Sequence, residues 1–94
     1  MGSVIITLKI LPSDPEIDLE EIYEKVLQVL EKHQVNTDPS MIRKEIEPIA
    51  FGISALIVKF IYPEEKGLPD VIEEDVKSIE GVDEASFIDI RRAL

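Results

Sequence analysis

Few residues of this chain carry the side chains that catalysis or metal binding usually needs. The 94 residues include no cysteine and one histidine, His33. The lack of cysteine excludes thiolate metal sites, disulfides and thiol redox chemistry. His33 lies at the predicted end of a helix, where it can interact with the last carbonyl groups, and no partner for it is evident. We therefore assign no catalytic residue and predict that the protein is not an enzyme.

Acidic side chains are the commonest polar groups, and their placement favours a solvated surface. The chain has 20 Asp and Glu against 10 Lys and Arg, a net charge of −10. Two acidic clusters, at positions 20–24 and 73–75, fall on the expected outer faces of helices, so we predict neither a metal site nor a cofactor. Nucleic-acid binding is not expected, because phosphate contacts need clustered Lys and Arg. The charge favours a basic partner instead.

Phe51 and Gly52 stand out because they lie between two apolar segments, in the run Pro48-Ile49-Ala50-Phe51-Gly52-Ile53. Gly52 allows backbone angles that other residues avoid. A large ring set on a loop tip by a glycine is a candidate anchor for a pocket on a partner. The local sequence by itself favours the alternative, in which the ring folds back over the core.

Arg91 and Arg92 are adjacent cations near the end of an acidic chain. Two guanidinium groups can bind a phosphate or a carboxylate on a partner. The local sequence favours a solubilising role or pairing with nearby acidic residues. Strand alternation predicts that Arg91 shares a face with Phe87 and Asp89, and that Arg92 lies on the other face.

The hydrophobic pattern predicts the elements that position these residues. Strand-like patterns occupy 4–11, 41–47, 53–62 and 85–91, and helical spacing occupies 19–32 and 68–79. Asp18 and Glu21 resemble a capping box at the first helix. Pro69 and Asp70 open the second helix, and Gly81 closes it.

The order β-α-β-β-α-β predicts an α+β fold of the ferredoxin-like type over one domain, residues 1–94. Two helices should cover one face of a four-stranded antiparallel sheet and leave the other face open. Three classes with this fold are disfavoured by residue content. Copper chaperones need cysteines, RNA-recognition modules need a basic sequence with aromatic strands, and acylphosphatases need an arginine near the first strand, whereas the first arginine here is Arg43.

No apolar run reaches the length of a membrane helix, and no basic segment precedes an apolar one at the N-terminus. We therefore expect no membrane association and a cytoplasmic location.

Several segments together resemble archaeal elongation factor 1-beta. They are the first strand from Val4 to Pro12, the run from Glu47 to Ile53, the pair Gly81-Val82, and the end from Asp89 to Leu94. The similarity covers the whole chain in order, and its most specific parts are the Ile-Ala-Phe-Gly loop and the Arg-Arg-Ala-Leu end. The resemblance implies the ferredoxin-like fold and guanine-nucleotide exchange on elongation factor 1-alpha, the GTPase that delivers aminoacyl-tRNA.

The resemblance also implies roles for individual residues. The Phe-Gly loop docks on the GTPase in this family, which maps a partner-binding role onto Ala50, Phe51 and Gly52. A lysine just before the last residue of eukaryotic relatives enters the magnesium region of the nucleotide pocket. The matching position here is Ala93, so Arg91 and Arg92 are the nearest cations and become candidate partner-binding residues. The alternative function is a small regulatory domain that dimerises through its open sheet face and binds a metabolite.

Overall fold

A computed structural model describes residues 2–93. The strands are β1 (Ser3–Pro12), β2 (Ile42–Ala50), β3 (Ile53–Pro63) and β4 (Val82–Ala93), and the helices are α1 (Leu19–Lys32) and α2 (Asp70–Lys77). One turn of 3₁₀ helix, Glu64–Lys66, follows β3. The predicted order β-α-β-β-α-β is confirmed. Across residues 2–93, neither helix is long and apolar enough to cross a membrane.

The four strands form one antiparallel sheet in the order β2-β3-β1-β4. The two central strands pair from Ser3 opposite Pro63 to Ile10 opposite Leu56. Because β2 and β4 are the edge strands, each has one side free of ladder hydrogen bonds. Pro48, which cannot donate such a bond, lies in the edge strand β2 as its chemistry requires.

Both helices pack on one face of the sheet, so the predicted ferredoxin-like α+β fold is confirmed. Alternate residues of β1 (Ile6, Leu8, Ile10) are fully buried against that layer. They share one cluster with residues of both helices, among them Val26 and Val76. The period of two along the strand and of about 3.6 along the helices brings these side chains together.

Helix α1 begins and ends where the sequence predicts. Asp18 is its N-cap and accepts a hydrogen bond from the backbone N–H of Glu20 at 2.9 Å. The helix is also tied to the edge strand β2 through Lys44. The Lys44 ammonium lies 2.6 Å from a Glu20 carboxylate oxygen and 4.8 Å from the centre of the Tyr23 ring. These contacts fix α1 against the hairpin formed by β2 and β3.

Helix α2 is shorter than predicted, and two of its expected core residues are exposed. Leu68 precedes the helix and is 80% exposed, while Val71 in its first turn is about half exposed. Pro69 occupies the N-cap position and gives no side-chain hydrogen bond. The buried stripe therefore reduces to Ile72 and Val76, because two turns present only a short apolar face to the sheet.

Strand β4 contains a bulge that overturns one predicted alternation. Leu8 of β1 lies opposite Phe87, but the next residue, Thr7, lies opposite Asp89, which leaves Ile88 unpaired. Because of this extra residue, positions before and after Ile88 that would share a face by simple alternation lie on opposite faces of the sheet. Phe87 therefore packs against the core, whereas Asp89 and Arg91 lie on the open face. The prediction that Phe87 and Arg91 share a face is wrong.

Candidate functional site

Phe51 lies at the tip of the β2–β3 hairpin and is 96% exposed. Ala50 pairs with Ile53, so Phe51 and Gly52 form a two-residue loop. The ring does not fold back over the core, which contradicts the local-sequence alternative. A ring of this size in water loses the burial that usually stabilises aromatic residues, and this makes it available to another molecule.

The backbone at this tip takes positive φ at both loop residues, +55° at Phe51 and +78° at Gly52. This is the geometry of a type I′ turn, whose twist matches that of the flanking strands. Gly52 adopts it without strain, but a bulky residue with positive φ costs about 1–3 kcal/mol. The strain at Phe51 has no compensating contact within the core, because the side chain is 96% exposed, so this residue lowers the stability of the domain.

Further exposed apolar side chains lie on β2 before the tip. Ile49 bulges out of the pairing between Pro48 and Ala50, and both Ile46 and Ile49 are about half exposed. A shallow groove of about 340 Å³ beside the tip is lined by Gly52 and Ile46 together with Pro15 of the β1–α1 loop. Asp18 and Glu20 also line this groove, so charge lies beside the tip, whereas the loop residues themselves carry none. We call Ala50, Phe51 and Gly52 the hairpin tip.

Arg91 and Arg92 lie on opposite faces of β4, as predicted. Arg91 is opposite Ile5 on the open face, and Arg92 is opposite Val4 on the helix-covered face. The Arg91 Nε lies 2.7 Å from Asp89 Oδ2, and an Arg92 guanidinium nitrogen lies 3.4 Å from Glu64 Oε1. Both side chains remain at least 75% exposed, so these ion pairs are open to competition by another anion.

The structure does not bring the two arginines and the hairpin tip together. The register places Arg91 beside Ile5, and Ile5 beside Ile61 near the far end of β3. The tip lies at the start of that strand, before Ile53. At about 3.3 Å per residue, the two sites are about 25–30 Å apart along a molecule whose longest dimension is 43 Å.

His33 has a partner that the sequence did not reveal. Its Nε2 donates to Asp75 Oδ2 of α2 at 2.7 Å, and Lys32 Nζ lies 3.5 Å from the same oxygen. The hydrogen bond from His33 is the main cause that lowers the pKa of Asp75 from its ordinary 3.8. Asp75 therefore links the end of α1 to α2 and does not belong to a purely solvated face. The pair lies 42 residues apart in sequence, so local spacing gave no signal.

The other acidic side chains offer no metal centre. Within residues 2–93, no group of three or more His, Asp or Glu residues is arranged to hold a metal ion. Two carboxylates of the predicted acidic faces serve as structural acceptors instead. Glu20 pairs with Lys44, and Glu73 accepts the backbone N–H of Phe87 at 2.9 Å.

Comparison with known proteins gives consistent matches over nearly the whole chain. A family model described as the EF-1 guanine nucleotide exchange domain matches residues 5–92. An elongation factor 1-beta of Methanothermobacter thermautotrophicus is 35% identical over 98 aligned residues, which cover 100% of both chains. Those of Saccharolobus solfataricus and Saccharolobus islandicus are each 39% identical over 93 residues, covering 98% of this chain and 97% of the relative.

The fold, the exposed hairpin tip and the family match define a guanine nucleotide exchange domain of the EF-1 type. Such a domain acts by binding a GTPase. More narrowly, the chain belongs to the elongation factor 1-beta family, whose matched members come from archaea. This membership does not favour the alternative of a metabolite-binding regulatory dimer.

Proposed function

We propose that this chain promotes the exchange of GDP for GTP on elongation factor 1-alpha by holding that GTPase at two separate points. The observation that carries the proposal is Phe51, a fully exposed ring in a strained backbone conformation. It lies within residues matched to an exchange domain. Strain without a gain in core packing is typical of a residue kept for an intermolecular contact.

Exchange requires no covalent step from this protein. An exchange factor has to bind the nucleotide-free GTPase more tightly than the nucleotide-bound form, and linkage then weakens nucleotide binding by the same factor. Contacts at the hairpin tip and at the end of β4 meet that need if they are stronger with the nucleotide-free GTPase. The assignment of no catalytic residue, no cofactor and no metal agrees with this mechanism.

The hairpin tip is the first proposed contact. Phe51 would enter an apolar pocket on the GTPase, while Ala50 and Gly52 present little side chain and allow close approach of the backbone. The type I′ turn fixes the backbone from which the ring projects. Because this backbone is already ordered, docking needs to order only the side chain.

The end of β4 is the second proposed contact, and we assign the active role to Arg92. A cation near the bound nucleotide can compete with magnesium for phosphate and carboxylate ligands. Arg91 is held by Asp89 at 2.7 Å, whereas the Arg92 pair with Glu64 is longer, at 3.4 Å. Arg92 is thus easier to release toward a new anion, and Arg91 is mainly structural for exchange.

The acidic body supports the same partner. A net charge of −10 attracts a basic protein surface and repels nucleic acid. We accordingly propose elongation factor 1-alpha as the partner and residues 1–94 as a single exchange domain. We also propose that it works in the cytoplasm without direct contact to nucleic acid or membrane.

The release of labelled GDP from elongation factor 1-alpha of the same organism tests this function. We expect the protein, added at substoichiometric concentration, to accelerate release and to act repeatedly on excess GTPase. A GDP release rate that stays at its intrinsic value in the presence of excess protein would refute the proposed function.

A further inference from the structure

The open face of the sheet holds a groove that lies apart from the hairpin tip and from Arg92. Its volume is about 450 Å³, within the range of pockets for small organic molecules. The side chains that matter for its chemistry are Ile5, Met41, Arg43, Lys59, Ile61 and Arg91. Thus apolar side chains and three cations line one concave surface.

Two of these cations are placed against each other. Arg43 of β2 and Lys59 of β3 are directly opposite in the pairing register, so both side chains leave the same face. Like charges in this position destabilise a sheet. Among residues 2–93, neither side chain forms an ion pair with a carboxylate. The pair therefore lacks the counter-charge that would normally offset its repulsion.

The charge of the groove is opposite to that of the chain as a whole. The lining contains one carboxylate, Asp89, and this group is already held by Arg91 at 2.7 Å. The chain as a whole is strongly acidic, with a net charge of −10. A concave site lined by one sign of charge concentrates the opposite ion at that place.

We infer that this groove binds a small organic phosphate, with its phosphate on Arg43 and Lys59 and its apolar body over Ile5 and Ile61. A guanidinium binds two phosphate oxygens at once, and an ammonium adds a compact positive charge beside it. Arg91 lies on the opposite edge strand, β4, and bounds the groove on that side. Three strand spacings, or about 14 Å, separate it from Arg43.

A small ligand fits this face better than a long anionic one. Along β2 the open face continues from Arg43 to Glu45 and Glu47, which lie opposite Ile57 and Ala55. These carboxylates would repel a nucleic-acid strand or an acidic peptide that extends along the sheet. The attractive charge is confined to the groove, so its ligand should be compact.

Thermal unfolding of the isolated protein tests the inference without any GTPase, so the outcome is independent of the exchange assay. Pyrophosphate and adenosine diphosphate serve as probes, with sodium chloride added to match ionic strength. A ligand that binds only the folded state raises the melting temperature with concentration. We expect both probes to raise it above the salt control, and adenosine diphosphate to raise it more because its body covers the apolar floor.

Charge-removing variants locate the site. Arg43→Gln and Lys59→Gln should each weaken binding of adenosine diphosphate by at least about tenfold, since each removes a charge-assisted hydrogen bond. The matched control is Lys25→Gln, which removes one positive charge from the α1 side of the molecule and should leave binding unchanged. Without ligand, both groove variants should unfold at a temperature equal to or above that of the wild type, because they remove the like-charge pair.

Three results would overturn the inference. The probes could raise the melting temperature no more than matched salt does. Lys25→Gln could weaken binding as much as Lys59→Gln, which would indicate a general effect of net charge. An acidic peptide such as oligoglutamate could bind although pyrophosphate and adenosine diphosphate do not. The groove would then be a peptide-binding surface and not a phosphate site.

Discussion

The two ends of the sheet differ in how clearly their structure indicates a role. At the hairpin tip, Phe51 is exposed, strained and without charge, and nothing in the domain accounts for it. At the end of β4, Arg91 and Arg92 are also exposed, but each has an acidic neighbour. Exposing an apolar ring to water costs free energy that no contact within the domain offsets. An exposed arginine paired with a carboxylate is common on protein surfaces. Backbone strain and apolar exposure are therefore stronger signs of docking than an exposed cation.

The largest expected effect is on binding through the tip. Phe51→Ala removes the proposed anchor and should weaken binding to elongation factor 1-alpha by about 2–4 kcal/mol, measured by calorimetry with the nucleotide-free GTPase. Because the ring is 96% exposed, the free energy of unfolding should change by no more than about 0.5 kcal/mol.

The matched control is Leu68→Ala, which removes an apolar side chain that is 80% exposed outside the proposed contacts. This variant should bind as the wild type does. Wild-type affinity of Phe51→Ala, or a loss of affinity fully explained by unfolding, would remove the tip from the mechanism.

The second effect concerns the arginines and should be smaller. Arg92→Ala should slow stimulated GDP release by about tenfold, which corresponds to the loss of one charge-assisted contact. Arg91→Ala serves as its control and should retain most of the exchange activity, because its guanidinium is held by Asp89 at 2.7 Å. If both variants stimulate GDP release at the wild-type rate, the end of β4 takes no part in exchange.

A third variant should separate stability from binding at a single position. Phe51→Asn places an Asn-Gly pair in the type I′ turn, where asparagine tolerates positive φ. We expect the protein to gain about 1 kcal/mol in free energy of unfolding by relief of strain while it loses affinity for the GTPase. Urea denaturation compared with Phe51→Ala isolates the contribution of the backbone. A destabilised Phe51→Asn would show that the tip is not strained.

The smallest effect is expected on the pH dependence of stability, through the hydrogen bond that links His33 at the end of α1 to Asp75 of α2. The pKa of Asp75 is lowered in the folded state, chiefly by the hydrogen bond from His33. Its contribution to stability is therefore complete above its unfolded value of about 3.8 and is lost as pH falls through the folded value.

Asp75→Asn should accordingly lower the urea midpoint at pH 7, and the difference from the wild type should shrink at pH 3. Glu74→Gln removes a neighbouring charge on the same helix and is the control. A difference between Asp75→Asn and the wild type that does not change with pH would contradict this assignment.

Much of the fold was predictable because it depends on periodic burial. The spacing of apolar residues gave both helices and all four strands, and Asp18 marked the start of α1 at its observed residue. The main error lies in β4, where one extra residue at Ile88 moves Phe87 to the opposite face from Arg91. A bulge leaves no clear trace in alternation, because it depends on pairing with another strand.

The candidate site was predictable in residue identity but not in geometry. The sequence left Phe51 undecided between core and surface, since an isolated ring beside a glycine suits both. Its exposure follows from the two-residue hairpin, which points the ring away from the sheet. The sequence did not indicate that Arg43 and Lys59 would lie opposite each other, because these residues are 16 positions apart along the chain and the strand register decides their pairing.

If the GTPase is held at two separate points, Phe51 and Arg92 should contribute independently to GDP release, and a double-mutant cycle measures this. Phe51→Ala, Arg92→Ala and the double variant are compared with the wild type in stimulated release. Because the two sites lie about 25–30 Å apart, their activation free energies should add to within about 0.5 kcal/mol. A double variant no worse than the Phe51→Ala variant alone would contradict two independent contacts.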